Sequence, residues 1–241
     1  MAEEKKGSES QLPAASKQAE VEAFLRQVAA MPAVRPAAGR GRLIFALDAT
    51  GSREPTWDRA CQIQGEMFQA TESLGGLDVQ LVFYRGLGEC KASRWLSRAK
   101  DLRAAMRKVS CIGGQTQIAR VLGHAINEAK AGHVNALVFV GDAVEEALPK
   151  VTELAGELAL LNVPAFLFHE GGNPEAGRAF KEIARLTRGA CCPFDSASAQ
   201  QLKELLGAVA VFAAGGRKAL ADYGRRTGGA ALLLTRQMAG G

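Results

Sequence analysis

Apolar and polar positions along the chain fall into two alternating rhythms from residue 42 onward. Short runs dense in Val, Ile, Leu and Phe, at 42–48, 77–85, 135–142, 163–169 and 190–194, predict strands buried on both faces. Between them, apolar residues recur at the three- and four-residue spacing of helices. One helix is expected after the first strand, with Pro55 in its first turn, where a missing N–H costs nothing. Trp57, Ile63, Met67, Phe68 and Leu74 lie along it. Further helices are expected at 98–109, from about Thr116 to Lys130, at about 145–161, at 174–187 and at 199–213. "ECKASRWL" (89–96) reads as a short strand joined to 77–85 by Gly86, Leu87 and Gly88 alone, a link that can make a hairpin but no helical crossover. The pattern predicts an α/β fold: a Rossmann-like, doubly wound, mainly parallel sheet with one antiparallel edge strand.

The flanks differ from this core. Residues 1–40 read as a disordered N-terminal extension with a short amphipathic helix at 17–31, where Val21, Phe24, Leu25 and Val28 share a face. Pro32, Pro36 and the glycines at 39 and 41 end it, so the domain is placed at 41–214 and a basic C-terminal tail at 215–241. Charge follows the same division. Residues 41–214 carry 19 Lys or Arg and 19 Asp or Glu, which cancel, whereas 215–241 carry five basic residues and one acidic. Most of the net +5 is therefore in the tail. Such a tail suits a solvated segment or an acidic partner; with no RNP or zinc-finger motif, it gives nucleic-acid binding only weak support. No apolar run reaches the roughly 20 residues of a membrane helix, and the N-terminus has no apolar signal-peptide segment, so a cytoplasmic protein without membrane insertion is expected. The five cysteines form no C-x-x-C pair and read as reduced, partly buried thiols, with Cys191 and Cys192 pointing to opposite faces of a strand.

Candidate chemistry enters at "IFALDATGSREPTW" (44–57). A core strand ends on Asp48 and is followed at once by Thr50 and Ser52, three oxygen-bearing side chains at every second position. Asp142 ends a second strongly apolar strand, and Thr116 follows two glycines in "GGQTQIA". In open parallel sheets, ligands bind beyond the carboxyl ends of strands near the point where strand order reverses. Two carboxylates and three hydroxyls, with no His or Cys, suit Mg²⁺ or Mn²⁺ and leave the ion under-neutralised, so that an exogenous carboxylate is drawn to it. Helix capping is the plainer reading of Asp48, Thr50, Ser52 and Thr116 taken singly, since these are favoured N-cap residues. Arg53, Glu54, Glu145 and Glu146, next to the candidate ligands, read as solvated helix starts, or else as charges tuning the site. His124 and His133 fall outside the site, and His169 ends a strand at the same sheet edge, where a satisfied core histidine is the plainer reading. No P-loop and no post-strand G-x-G-x-x-G occurs.

"DATGS", then "GGQT", then "FVGD" together resemble the metal-ion-dependent adhesion site of von Willebrand factor A (vWA) domains, over roughly 42–213. The resemblance implies Asp48, Thr50 and Ser52 as first-loop ligands, Thr116 as the second-loop hydroxyl and Asp142 as the third-loop carboxylate. Thr50 stands where the family usually has Ser, and Gly141 where Thr is frequent. It further implies a non-enzymatic, metal-dependent module that binds a protein partner presenting an Asp or Glu. "DATGS" and "GDAVEE" are also similar to the nucleophile and metal motifs of haloacid-dehalogenase-type phosphotransferases, which would make Asp48 a phosphorylated nucleophile. That chemistry needs a lysine near the phosphoryl group, and Lys130 is expected at the far end of its helix.

Overall fold

The structure, a computed structural model, describes Ala23 and residues 40–71, 76–194 and 199–227. Of the helix expected at 17–31 Ala23 alone is described, helical and exposed, and the end of the basic tail lies outside the described residues.

Among the described residues six strands form one sheet: β1 (Gly41–Asp48), β2 (Leu77–Arg85), β3 (Glu89–Ala92), β4 (Ala136–Gly141), β5 (Ala165–Glu170) and β6 (Ala190–Phe194), in the order β3-β2-β1-β4-β5-β6. Every neighbouring pair is parallel except β2–β3, the antiparallel edge. Among the described residues seven α-helices cover it: α1 (Glu54–Ile63), α2 (Gly65–Thr71), α3 (Ala99–Met106), α4 (Ile118–Ala131), α5 (Leu148–Leu160), α6 (Pro174–Leu186) and α7 (Ala199–Thr227). β1 shows why its sequence is apolar throughout. Leu43, Phe45 and Leu47 enter a core shared with Trp57, Met67, Leu102 and α7, while Ile44 and Ala46 enter a second core shared with α4, α5 and α6. Alternation along one strand thus feeds both layers. Cys192 and Cys191 divide between the two cores in the same way.

Three boundaries depart from the sequence pattern. The helix after β1 is a 3₁₀ turn (Gly51–Arg53) followed by two α-helices that part at Gln64, just before Gly65, a weak helix former. β3 stops at Ala92, and Leu96 returns to the sheet through a single bridge to Val79. The last helix, expected at 199–213, does not stop there. It continues to Thr227, broken at Gly216 (φ 68°), and Leu220 beyond the break is buried while Tyr223 packs against the same core. Among the described residues no helix is long and apolar enough to cross a membrane.

The chain runs from β1 to β2 on one side and later to β4 on the other, so strand order reverses between β1 and β4. The crevice beyond their carboxyl ends lies between Asp48 and Asp142.

Candidate functional site

Asp48 closes β1 with its residue only 3% exposed. Its Oδ1 accepts the Thr50 N–H at 2.7 Å, which folds the chain back over the strand end. None of the side chains of Asp48, Thr50 and Ser52 caps the 3₁₀ turn or α1, so capping does not account for them. Burial raises the Asp48 pKa above its ordinary value, the Thr50 amide and hydroxyl pull it back, and the charge of Asp142 raises it further. Beneath it the Tyr84 phenol is fully buried and close to the Asp48 carboxylate. Burial first, then the Asp48 carboxylate, pushes its pKa well up. Thr50 is buried and Ser52 is exposed.

The second loop is fastened to the first. The Ile112 N–H donates to Ala49 O at 3.0 Å and the Gln115 N–H to Gly86 O at 3.1 Å. Gly114 permits this approach, since a Cβ there would stand 2.1 Å from the Gly86 carbonyl oxygen. Thr116 lies two residues before α4, which begins at Ile118, and is no cap. Its N–H donates to Glu145 Oε2 at 2.7 Å and its hydroxyl to Glu146 Oε2 at 2.5 Å, while the hydroxyl accepts the Glu145 N–H at 2.8 Å. One lone pair of Thr116 Oγ1 is left over. Glu146 meanwhile accepts from Ala119 N–H at 3.1 Å and so caps α4 from the third loop. Glu145 and Glu146 are thus tied to Thr116 and are not simply a solvated helix start.

Arg53 is the residue the sequence pattern places wrongly. Instead of standing in solvent it is 3% exposed. Its guanidinium pairs with Glu170 at the end of β5 and lies 3.6 Å from Asp142 Oδ2. Thr56 donates to the same Glu170 oxygen at 2.6 Å. The signal available in the sequence was a third parallel strand ending in an acid, "FLFHE". Glu54, by contrast, is exposed as expected. His169, beside this group, is buried against Phe180; burial lowers its pKa, and the Asp142 charge opposes that.

Asp48, Asp142, Glu145, Glu146 and Glu170 therefore gather at one sheet edge, and among the described residues Arg53 is the one cation paired with any of them. A buried carboxylate with a raised pKa beside a second carboxylate is a setting that a bound cation would relieve. Among the described residues no group of three or more His, Cys, Asp or Glu is arranged to hold a metal ion, so an ion here would rely on hydroxyl oxygens as well. Asp48, Asp142, Thr50, Ser52 and the spare lone pair of Thr116 fit a hard, oxygen-seeking ion in that chemistry. Lys130 stands in the last turn of α4, paired with Glu157 at 2.5 Å, at the opposite end of that helix from Thr116.

No protein-family model and no curated protein matches the sequence. Solved structures do match the fold. A von Willebrand factor type A protein from Catenulispora acidiphila is similar with a TM-score of 0.59 at 15% identity, over 77% of this chain and 44% of that one. This chain thus spans less than half the length of that protein. The SpRpn10 VWA domain gives 0.54 at 14% identity, over 69% and 94% of the two chains. The pilus adhesin SpaC from Lactobacillus rhamnosus GG gives 0.56 at 9% identity, over 77% and 30%. The chain has a vWA-like fold.

Proposed function

We propose that this chain is a protein-binding module that holds Mg²⁺ or Mn²⁺ at the carboxyl edge of its sheet, with a partner's Asp or Glu completing the ion's coordination. The observation that carries the reading is the juxtaposition of Asp48, the last residue of β1, and Asp142, the residue after the adjacent parallel strand β4, close enough for the Asp142 charge to raise the Asp48 pKa. Asp48, Thr50, Ser52, Thr116 and Asp142 would hold the ion. Because three of these five ligands are neutral hydroxyls, the ion keeps a net positive charge and recruits an external carboxylate. The vWA-like fold, shared with the adhesin SpaC among others, supports an interaction role, and the protein acts by binding and not by turnover.

Calorimetric titration of Mg²⁺ and Mn²⁺ into the wild type, Thr116→Ala and Asp48→Ala tests this. Saturable binding that both substitutions abolish is the expected result. Binding that survives Thr116→Ala but not Asp48→Ala, together with hydrolysis of a phosphate ester, would favour a phosphotransferase. No binding by the wild type, alone or with added carboxylate peptide, would leave a metal-free interaction scaffold.

A further inference from the structure

We propose that Arg53 is the resident cation of this edge and sets the strength of the ion site by sharing Asp142 with the bound ion, while Glu170 holds it back. This rests on the cation-site reading above.

The Arg53 side chain is 4% exposed and starts in the loop after β1. It crosses the end of β4 and reaches the end of β5, where it pairs with Glu170 Oε2. Thr56 donates to the same oxygen, so Glu170 is anchored from two sides. The contact with Asp142 is of another kind: at 3.6 Å it is longer than a hydrogen bond. Nε, buried, has no hydrogen-bond partner among the described residues. The guanidinium is therefore parked on Glu170 and only leans on Asp142, which is itself 31% exposed and retains oxygen capacity for another cation. A divalent ion on Asp142 would stand a few ångströms from a fixed positive charge in a partly buried setting. Repulsion at such a range is worth on the order of tenfold in affinity. Such a site binds its ion weakly alone, and a partner's carboxylate would supply the missing negative charge. Glu170 acts in the opposite direction. Without its charge the guanidinium has Asp142 as its remaining anionic neighbour, and the ion must displace it.

The two residues thus have opposite predicted effects on one measurement. In Mn²⁺ titrations of the full chain, Arg53→Met should bind roughly tenfold more tightly than the wild type and Glu170→Gln several-fold more weakly. Arg53→Lys, which keeps the charge, should stay near the wild type, and Asp48→Ala should bind nothing. A gain in affinity cannot arise from misfolding, whereas a merely structural role for Arg53 would weaken binding in both variants. If the wild type binds Mn²⁺ through Asp48 but Arg53→Met is equal or weaker, this inference fails and the site reading stands. Should Arg53→Met lose its cooperative melt, Glu170→Gln decides, with unchanged affinity overturning the inference. If the wild type is silent, binding gained in Arg53→Met supports both ideas, and silence in both variants overturns both.

Discussion

Two polar clusters sit at opposite ends of the same sheet, and they are built on different terms. At the amino end, Glu128 of α4 accepts from Trp95 Nε1 at 2.9 Å and Gln80 Nε2 at 3.2 Å and pairs with Arg42 at 3.5 Å. His124 shares a hydrogen bond with Gln80 Oε1 at 2.8 Å, and the Arg42 guanidinium lies 4.0 Å above the Trp95 ring. The network is closed: among the described residues none of its buried atoms lacks a partner. At the carboxyl end, Arg53 Nε, Gln117 Oε1 and His169 Nε2 are buried without a hydrogen-bond partner among the described residues. The carboxylates record the difference. Burial alone would raise Glu128, but its hydrogen bonds and the charges of His124 and Arg42 outweigh that and lower it, whereas Asp48, with no cation of its own, is raised. A closed network of this kind adds to the stability of the fold, and an open one withholds stability that a ligand can restore.

The largest expected effect comes from opening the closed end. Glu128→Ala strands the indole N–H, the Gln80 amide and the Arg42 charge together, and should lower stability by about 2–3 kcal/mol in urea unfolding. A change within experimental error would remove the contrast between the two ends. Next is relief at the open end. Asp48→Asn keeps an acceptor for the Thr50 N–H while removing a desolvated charge, so without metal its melting temperature should rise by roughly 2–4 °C, the shift that about 1 kcal/mol produces in a chain of this size. Since Asp48 is raised in the fold, its penalty is present at neutral pH and disappears as pH falls through the raised value. The gain from Asp48→Asn should therefore shrink in acid; a gain that persists or grows would place its origin elsewhere. The smallest effect belongs to His124, whose pKa burial lowers from 6.5. Burial disfavours its charged form in the fold, so its contribution is intact above 6.5 and is lost as pH falls below that value. His124→Gln should flatten the fall in stability just below pH 6.5, and an unaltered slope would leave the other histidines to explain it.

Much of this was legible in the sequence, for a local reason. Strands buried on both faces show as continuous apolar runs, and 77–85 is the observed β2 residue for residue. The two-glycine link at 86–88 foretold the antiparallel edge because geometry forbids a crossover there. Asp48 and Asp142 stood out because strand ends and topology place them together. What pattern could not show is pairing across distance. Arg53 meets Glu170 across 117 positions, and next to a helix start an arginine reads as solvated. Thr116 meets Glu146 across 30, and no periodicity links a loop to the residue that orients its hydroxyl. Gly215 and Gly216 look like a terminus, yet the positive φ at Gly216 redirects the chain and lets Leu220 return to the core.

Anomalous diffraction from crystals soaked in MnCl₂ tests the cation site itself. A manganese peak is expected in the crevice between β1 and β4, within ligand distance of Asp48 and Thr116 and in reach of Asp142. A map with no peak at that edge, under conditions in which manganese occupies other sites of the crystal, would contradict the cation site.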